Sequence, residues 1–101
     1  MTVVAILGWP AIYADRTLYW FDSPRSDRTP LARQLAEALG VPLVLVALMP
    51  PVERAALAAW GIRQIDHART DRMTVEQWFA LEDCRIRLWQ VEREAYGCLH
   101  A

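Results

Sequence analysis

An α/β or α+β domain is what this chain predicts: a small sheet of three or four strands packed by two short helices and one long C-terminal helix. Three observations carry the prediction. Residues 3–7 (VVAIL) and 42–49 (PLVLVALM) are short apolar runs bounded by Gly or Pro, which is how buried strands read. Residues 30–39 repeat leucine at 31, 35 and 39 and end at Gly40, an amphipathic helix with its stop. Residues 74–96 hold a helical period over more than six turns. A length of 101 residues corresponds to a single domain over 1–101, large enough for one modest core.

Taken in order, the first run forms a buried strand broken by Gly8-Trp9-Pro10. Residues 17–21 (TLYWF) are aromatic-rich and form a second strand, with Asp15-Arg16 at a turn and a hairpin over residues 11–21. A polar loop follows at residues 22–29 (DSPRSDRT). Thr29 then suits an N-cap, with Pro30 at the first helical position. The 42–49 run suits a central strand buried on both faces. Pro50-Pro51 starts a second helix over 51–60, slim with alanine and closed by Gly61, and residues 62–66 suit a short strand. The expected order is therefore β-β-α-β-α-(β)-α.

The start of the long helix is marked three ways. Thr74 and Gln77 match a capping box, and Met73 with Trp78 matches a hydrophobic staple. Gly97 provides the stop. At 100° per residue this helix carries two apolar faces. Leu81, Cys84, Leu88, Val91 and Ala95 lie on one, while Val75, Trp78, Phe79, Ile86, Trp89 and Tyr96 lie on nearly the other. An outer helix of a monomer needs one such stripe. The aliphatic face suits the core. The second face yields a ladder of Trp78, Glu82, Arg85, Trp89, Arg93 and Tyr96, at steps of four, three, four, four and three. Aromatic residues with Arg are the composition of binding hot spots, and Arg85 and Arg93 each lie one turn from Trp89, within reach of its ring. Glu82 is placed to pair with Arg85. Two alternatives stand for the ladder: an interior seam with its charges at the rim, or a surface for a protein partner, whether foreign or a second copy.

Charge and composition narrow the function. The net charge is −1, so a strongly basic nucleic-acid face is not implied. All 11 basic residues are Arg, and neither Lys nor Asn occurs, which points to GC-rich coding. Residues 1–4 have no charged signal-type start, and the longest apolar run, 41–52, is interrupted by three prolines and falls short of a membrane span. These features predict a cytoplasmic protein without membrane attachment. Five Trp exceed what so small a core accommodates, so some are expected to face a partner or second subunit.

Candidate chemistry is sparse. Ser23, Arg25, Ser26, Arg28 and Thr29 gather at a helix start, where an anion is favoured. The loop lacks glycine, however, and carries Asp22 and Asp27. Asp66, His67 and Asp71 cluster without a metal-ligand spacing, and His100 is second to last. Cys84 follows Glu82-Asp83, whose charge raises a thiol pKa, and on one helix it stands roughly 21 Å from Cys98, too far for a disulfide. No catalytic group, metal or cofactor is expected. Residues 31–41 (LARQLAEALGV) resemble the first helix and turn of a helix-turn-helix DNA-binding unit, but the apolar 42–49 run stands where a polar recognition helix belongs.

The leading expectation is a non-enzymatic protein–protein interaction protein, an inhibitor or adaptor. Its size, near-neutral charge and GC-rich coding resemble the profile of phage or mobile-element accessory proteins, a class that includes anti-defence inhibitors of the anti-CRISPR type. The alternatives are a virion or tail assembly factor or homo-oligomeric structural protein, and a small anion- or nucleotide-binding domain.

Overall fold

The computed structural model describes the backbone of residues 2–6 and 9, and residues 10–68 and 71–99 in full. Its elements are β1 (Thr2–Ile6), β2 (Trp9–Ala14), β3 (Thr17–Trp20), α1 (Thr29–Leu39), β4 (Leu43–Leu45), a 3-10 turn at Val46–Leu48, α2 (Pro51–Asp66) and α3 (Val75–Leu99). The strands form one mixed sheet in the order β1-β2-β3-β4, so the α+β expectation holds. The first two pairings are antiparallel and the β3–β4 pairing is parallel, with α1 as the crossover.

The expected hairpin over 11–21 is present as β2 and β3. Its two-residue turn puts both Asp15 (φ 49°) and Arg16 (φ 56°) in the left-handed region, which matches the twist of tight hairpins. Trp9 and Pro10 do not break the chain there; they open β2, with Pro10 opposite Ala5. Leu7 and Gly8, the expected strand end and breaker, lie outside the described residues.

Side chains alternate strictly across β2 and β3, and this alternation divides the core in two. Ala11, Leu18 and Trp20 face α1 through Ala32 and Ala36. Ile12, Ala14, Tyr19 and Phe21 face the other way, toward Ala58 and Ile65 of α2 and Cys84 and Leu88 of α3. The sheet is thus a middle layer, with α1 on one side and the α2–α3 pair on the other.

Several boundaries differ from expectation, each for a local reason. Thr29 is not the N-cap of α1, because Arg28 occupies that position without a side-chain cap. The Thr29 hydroxyl instead donates to the Ser23 carbonyl at 3.0 Å and is buried. The helix closes as expected at Gly40 (φ 68°): its amide and that of Val41 reach the Glu37 and Ala36 carbonyls in a Schellman arrangement. The buried stripe is Ala32 and Ala36, with Leu35 partly covered, while Leu31 and Leu39 are exposed. Only small side chains let α1 sit close to the sheet.

The 42–49 run is not a central strand. Leu43–Leu45 forms a short edge strand, and the chain then tightens into the 3-10 turn, leaving Leu48 exposed. Nor does Gly61 end α2, which runs on to Asp66 and absorbs the strand expected at 62–66. A Cβ added at Gly61 would stand 2.9 Å from Leu88 Cδ1 and 3.1 Å from Ile12 Cδ1. The glycine is there for close approach, where α2, α3 and the sheet converge.

At the start of α3 the capping box is complete. The Gln77 amide donates to Thr74 Oγ1 and the Thr74 amide donates to Gln77 Oε1, both at 3.1 Å. Thr74→Ala is expected to lower stability by about 1 kcal/mol, measurable by urea unfolding. Gly97 does not stop this helix, which continues to Leu99.

Candidate functional site

The two faces of α3 have different fates. Cys84, Leu88 and Ala95 are buried, with Leu81 and Val91 packed beside them. On the other side Trp78, Phe79, Ile86, Trp89 and Tyr96 are 42%, 58%, 49%, 48% and 46% exposed. The aromatic residues of the ladder therefore lie outside the core of this chain. Val75 at the helix start and Leu99 at its end extend the exposed apolar surface.

The charges on this face are arranged differently from the simple ladder. Arg93 lies over the Trp89 ring, 4.6 Å from its centroid, as the spacing allowed. Arg85 donates from Nε to Asp66 Oδ1 at 2.6 Å, tying α3 to the end of α2. That hydrogen bond, then the Asp66 charge, raises the Arg85 pKa, with a smaller addition from Glu82. Trp78 and Phe79 meet edge to face at 5.4 Å. A ladder defined by aromatic and Arg residues left out Phe79 and Ile86. The 100° periodicity already places both on this face, and the spacing through 75, 79, 82, 86, 89, 93 and 96 includes them, since its steps alternate strictly between four and three.

The loop at residues 22–29 is closed on itself. The Ser23 amide donates to Asp22 Oδ1 at 2.7 Å, the Arg25 amide to Ser23 Oγ at 3.2 Å and the Arg28 amide to Ser26 Oγ at 3.1 Å. The Ser26 and Thr29 amides donate to the Ser23 and Ser26 carbonyls. Five donors that would meet an anion are thereby turned inward, while Arg25 stays exposed and Arg28 lies 4.0 Å from Asp27. A neighbouring cleft of about 220 Å³ is lined by Ser23, Pro24, Phe21, Val46, Arg54 and Glu94. Arg25 and Arg28 do not line it. Arg54 donates from Nη1 to the Ala47 carbonyl at 3.2 Å and from Nη2 to Cys98 Sγ at 3.7 Å.

Asp66 is held by Arg85, and His67 caps the end of α2, its amide bonded to the Arg63 carbonyl. Among the described residues no group of three or more His, Cys, Asp or Glu is placed to hold a metal. His100 lies outside the described residues.

Both cysteines are free thiols, Cys84 buried and Cys98 exposed. Burial is the first cause that raises the Cys84 pKa above 9.0; Asp83 adds to it and Arg87 opposes it. The acidic neighbour read from the sequence is thus the second cause. Because the folded pKa lies above the unfolded one, the native state retains its proton longer. Stability from this group is full below the unfolded pKa and is lost as pH rises through the folded one. The expected result is that a disulfide reagent titrates Cys98 alone in the native protein. Cys84 should react only on unfolding, or as alkaline pH destabilises the fold.

Among the described residues no helix is long and apolar enough to cross a membrane. No protein-family model matches this chain, and comparison with curated proteins and with solved structures likewise returns no match.

Proposed function

We propose that this is a non-enzymatic protein–protein interaction protein, of the inhibitor, adaptor or assembly type, and that its binding surface is the outer face of α3. One observation carries the reading: five large apolar side chains stand about half exposed along one face of a 25-residue helix, with Glu82, Arg85 and Arg93 set among them. A contiguous apolar surface of this kind marks an interaction site more often than a solvated face. Its side chains are held by a rigid helix whose opposite face is anchored in the core, so little entropy is lost when they are covered. The compositional profile adds the setting: an accessory protein of a phage or mobile element, in the cytoplasm of a GC-rich bacterium.

The test is Trp89→Glu. Because Trp89 faces away from the core, this variant is expected to keep the wild-type circular dichroism and a cooperative thermal transition. It is also expected to lose the association that wild type shows, with its own copies or with a captured protein. An unfolded variant, or one that associates as well as wild type, would overturn the reading.

A further inference from the structure

The outer face of α3 has a feature that a general binding surface does not require: it is complementary to itself. Val75, Phe79, Glu82, Ile86, Trp89, Arg93 and Tyr96 follow each other at alternating steps of four and three. That is the 3.5-residue period of a coiled-coil seam, which keeps one narrow stripe facing a partner helix along its whole length. The core-facing stripe through Leu81, Cys84, Leu88, Val91 and Ala95 is already used against α2 and the sheet. The seam is a second one, on the far side.

We propose that this seam pairs with the same seam of a second copy of the chain, antiparallel, about a two-fold axis crossing α3 between residues 87 and 88. The proposal rests on the reading of the α3 face as a binding surface and names what covers it. In this register Phe79 packs beside Tyr96 of the second copy, Ile86 beside its Trp89, and Glu82 beside its Arg93; each contact occurs twice by symmetry. On one flank Arg85 comes opposite Glu92 of the second copy, and Trp78 opposite its Leu99.

Charge selects this arrangement from the others the period allows. A parallel, in-register pair would set Glu82 against Glu82 and Arg93 against Arg93, juxtaposing like charges. An antiparallel pair shifted by one heptad would set Glu82 against Ile86, leaving the carboxylate covered without its cation, or Arg93 against Trp89, leaving Glu82 without Arg93 opposite it. Only the register centred between 87 and 88 places both charges of the seam in pairs. Neither Glu82 nor Arg93 forms a salt bridge with a described residue. Arg93 is pre-placed across the Trp89 ring, so it enters the pair already ordered.

The area suffices. Aromatic side chains bury 150–250 Å² when fully covered, so five large residues about half exposed on each copy remove roughly 1,000 Å² in total. That reaches the lower bound for a biological interface and is the size of a weak, reversible dimer.

Sedimentation of the full chain over a concentration series, for wild type and two charge reversals, tests both the pairing and its register. Wild type is expected to form a dimer. Glu82→Arg alone and Arg93→Glu alone each bring like charges together twice, and each is expected to weaken the dimer on the order of a hundredfold or more. Mixed together, the two variants meet with both charge pairs restored, so a heterodimer with near-wild-type affinity should form. Retention of the dimer by both single variants, or failure of the mixture to associate, would overturn the register. A wild-type chain that sediments as a monomer throughout would overturn self-pairing while leaving the α3 face as a surface for another protein. A wild-type dimer that survives Trp89→Glu would place the interface elsewhere and sink the broader reading with it.

Discussion

Leu88→Glu is expected to unfold the protein, whereas Trp89→Glu, one residue along, is expected to leave the monomer folded. Leu88 is fully buried where α3 crosses α2 and the sheet, in contact with the position of Gly61 and packed with Ile12, Ala58 and Cys84. A carboxylate there has no described cation to pair with in that cluster, and burying it unpaired costs several kcal/mol. A domain of this size holds about 5–15 kcal/mol in total, so the substitution consumes most of its margin. The milder Leu88→Ala removes the same packing without adding a charge and should cost about 3–4 kcal/mol through lost transfer energy and the cavity left behind. Trp89 points the other way and is 48% exposed, so a charge there stays hydrated. Urea unfolding at low protein concentration, where association does not contribute, separates the two. Equal losses at 88 and 89 would mean that α3 is rotated about its axis, with both positions facing the core.

Gly61→Val is the second large effect. The two methyl groups of valine extend from a Cβ that already stands 2.9 Å from Leu88 Cδ1 and 3.1 Å from Ile12 Cδ1. The helix would have to move away from the sheet, and such overpacking costs about 1–3 kcal/mol, more than the roughly 0.5 kcal/mol that leaving glycine for valine returns in helix propensity. The contact is specific, so its coupling is testable. In Gly61→Val/Leu88→Ala the space vacated at 88 receives the new methyl groups. The double variant is therefore expected to lose less stability than the two single losses combined, by about 1 kcal/mol or more. Simple additivity would show that the two positions do not share that space.

The second prediction turns on Gly61, which also shows where local reading of the chain reaches its limit. Gly40 and Gly61 each follow a run of helix-forming residues, and by sequence each is a stop. Gly40 is one, with a left-handed φ of 68° that other residues rarely adopt. Gly61 is buried inside a continuing helix because Leu88, 27 positions away, presses against it. The same holds for the 42–49 run. Its composition suits a two-face-buried strand, but β4 lies at the sheet edge, and three residues of it pair with β3 before the backbone tightens into a turn.

The face of α3 was legible in outline. Helical periodicity separated its two apolar stripes and assigned the aliphatic one to the core. Which cation would stack on Trp89 was not legible, because Asp66 at the end of α2 claims Arg85 and leaves the ring to Arg93.

What the sequence by itself determined are the features set by short-range chemistry: the Thr74–Gln77 capping box, the tight Asp15-Arg16 turn, the Schellman close at Gly40, the three helices and the two-faced character of the longest. The tertiary structure alone decided what depends on contacts between residues distant in the chain. It placed α1 on one side of the sheet and α2 with α3 on the other, carried α2 through Gly61, and left the aromatic stripe uncovered. The physical reason is that capping, turn geometry and helical period act within about one turn of helix, whereas burial is a property of the assembled layers.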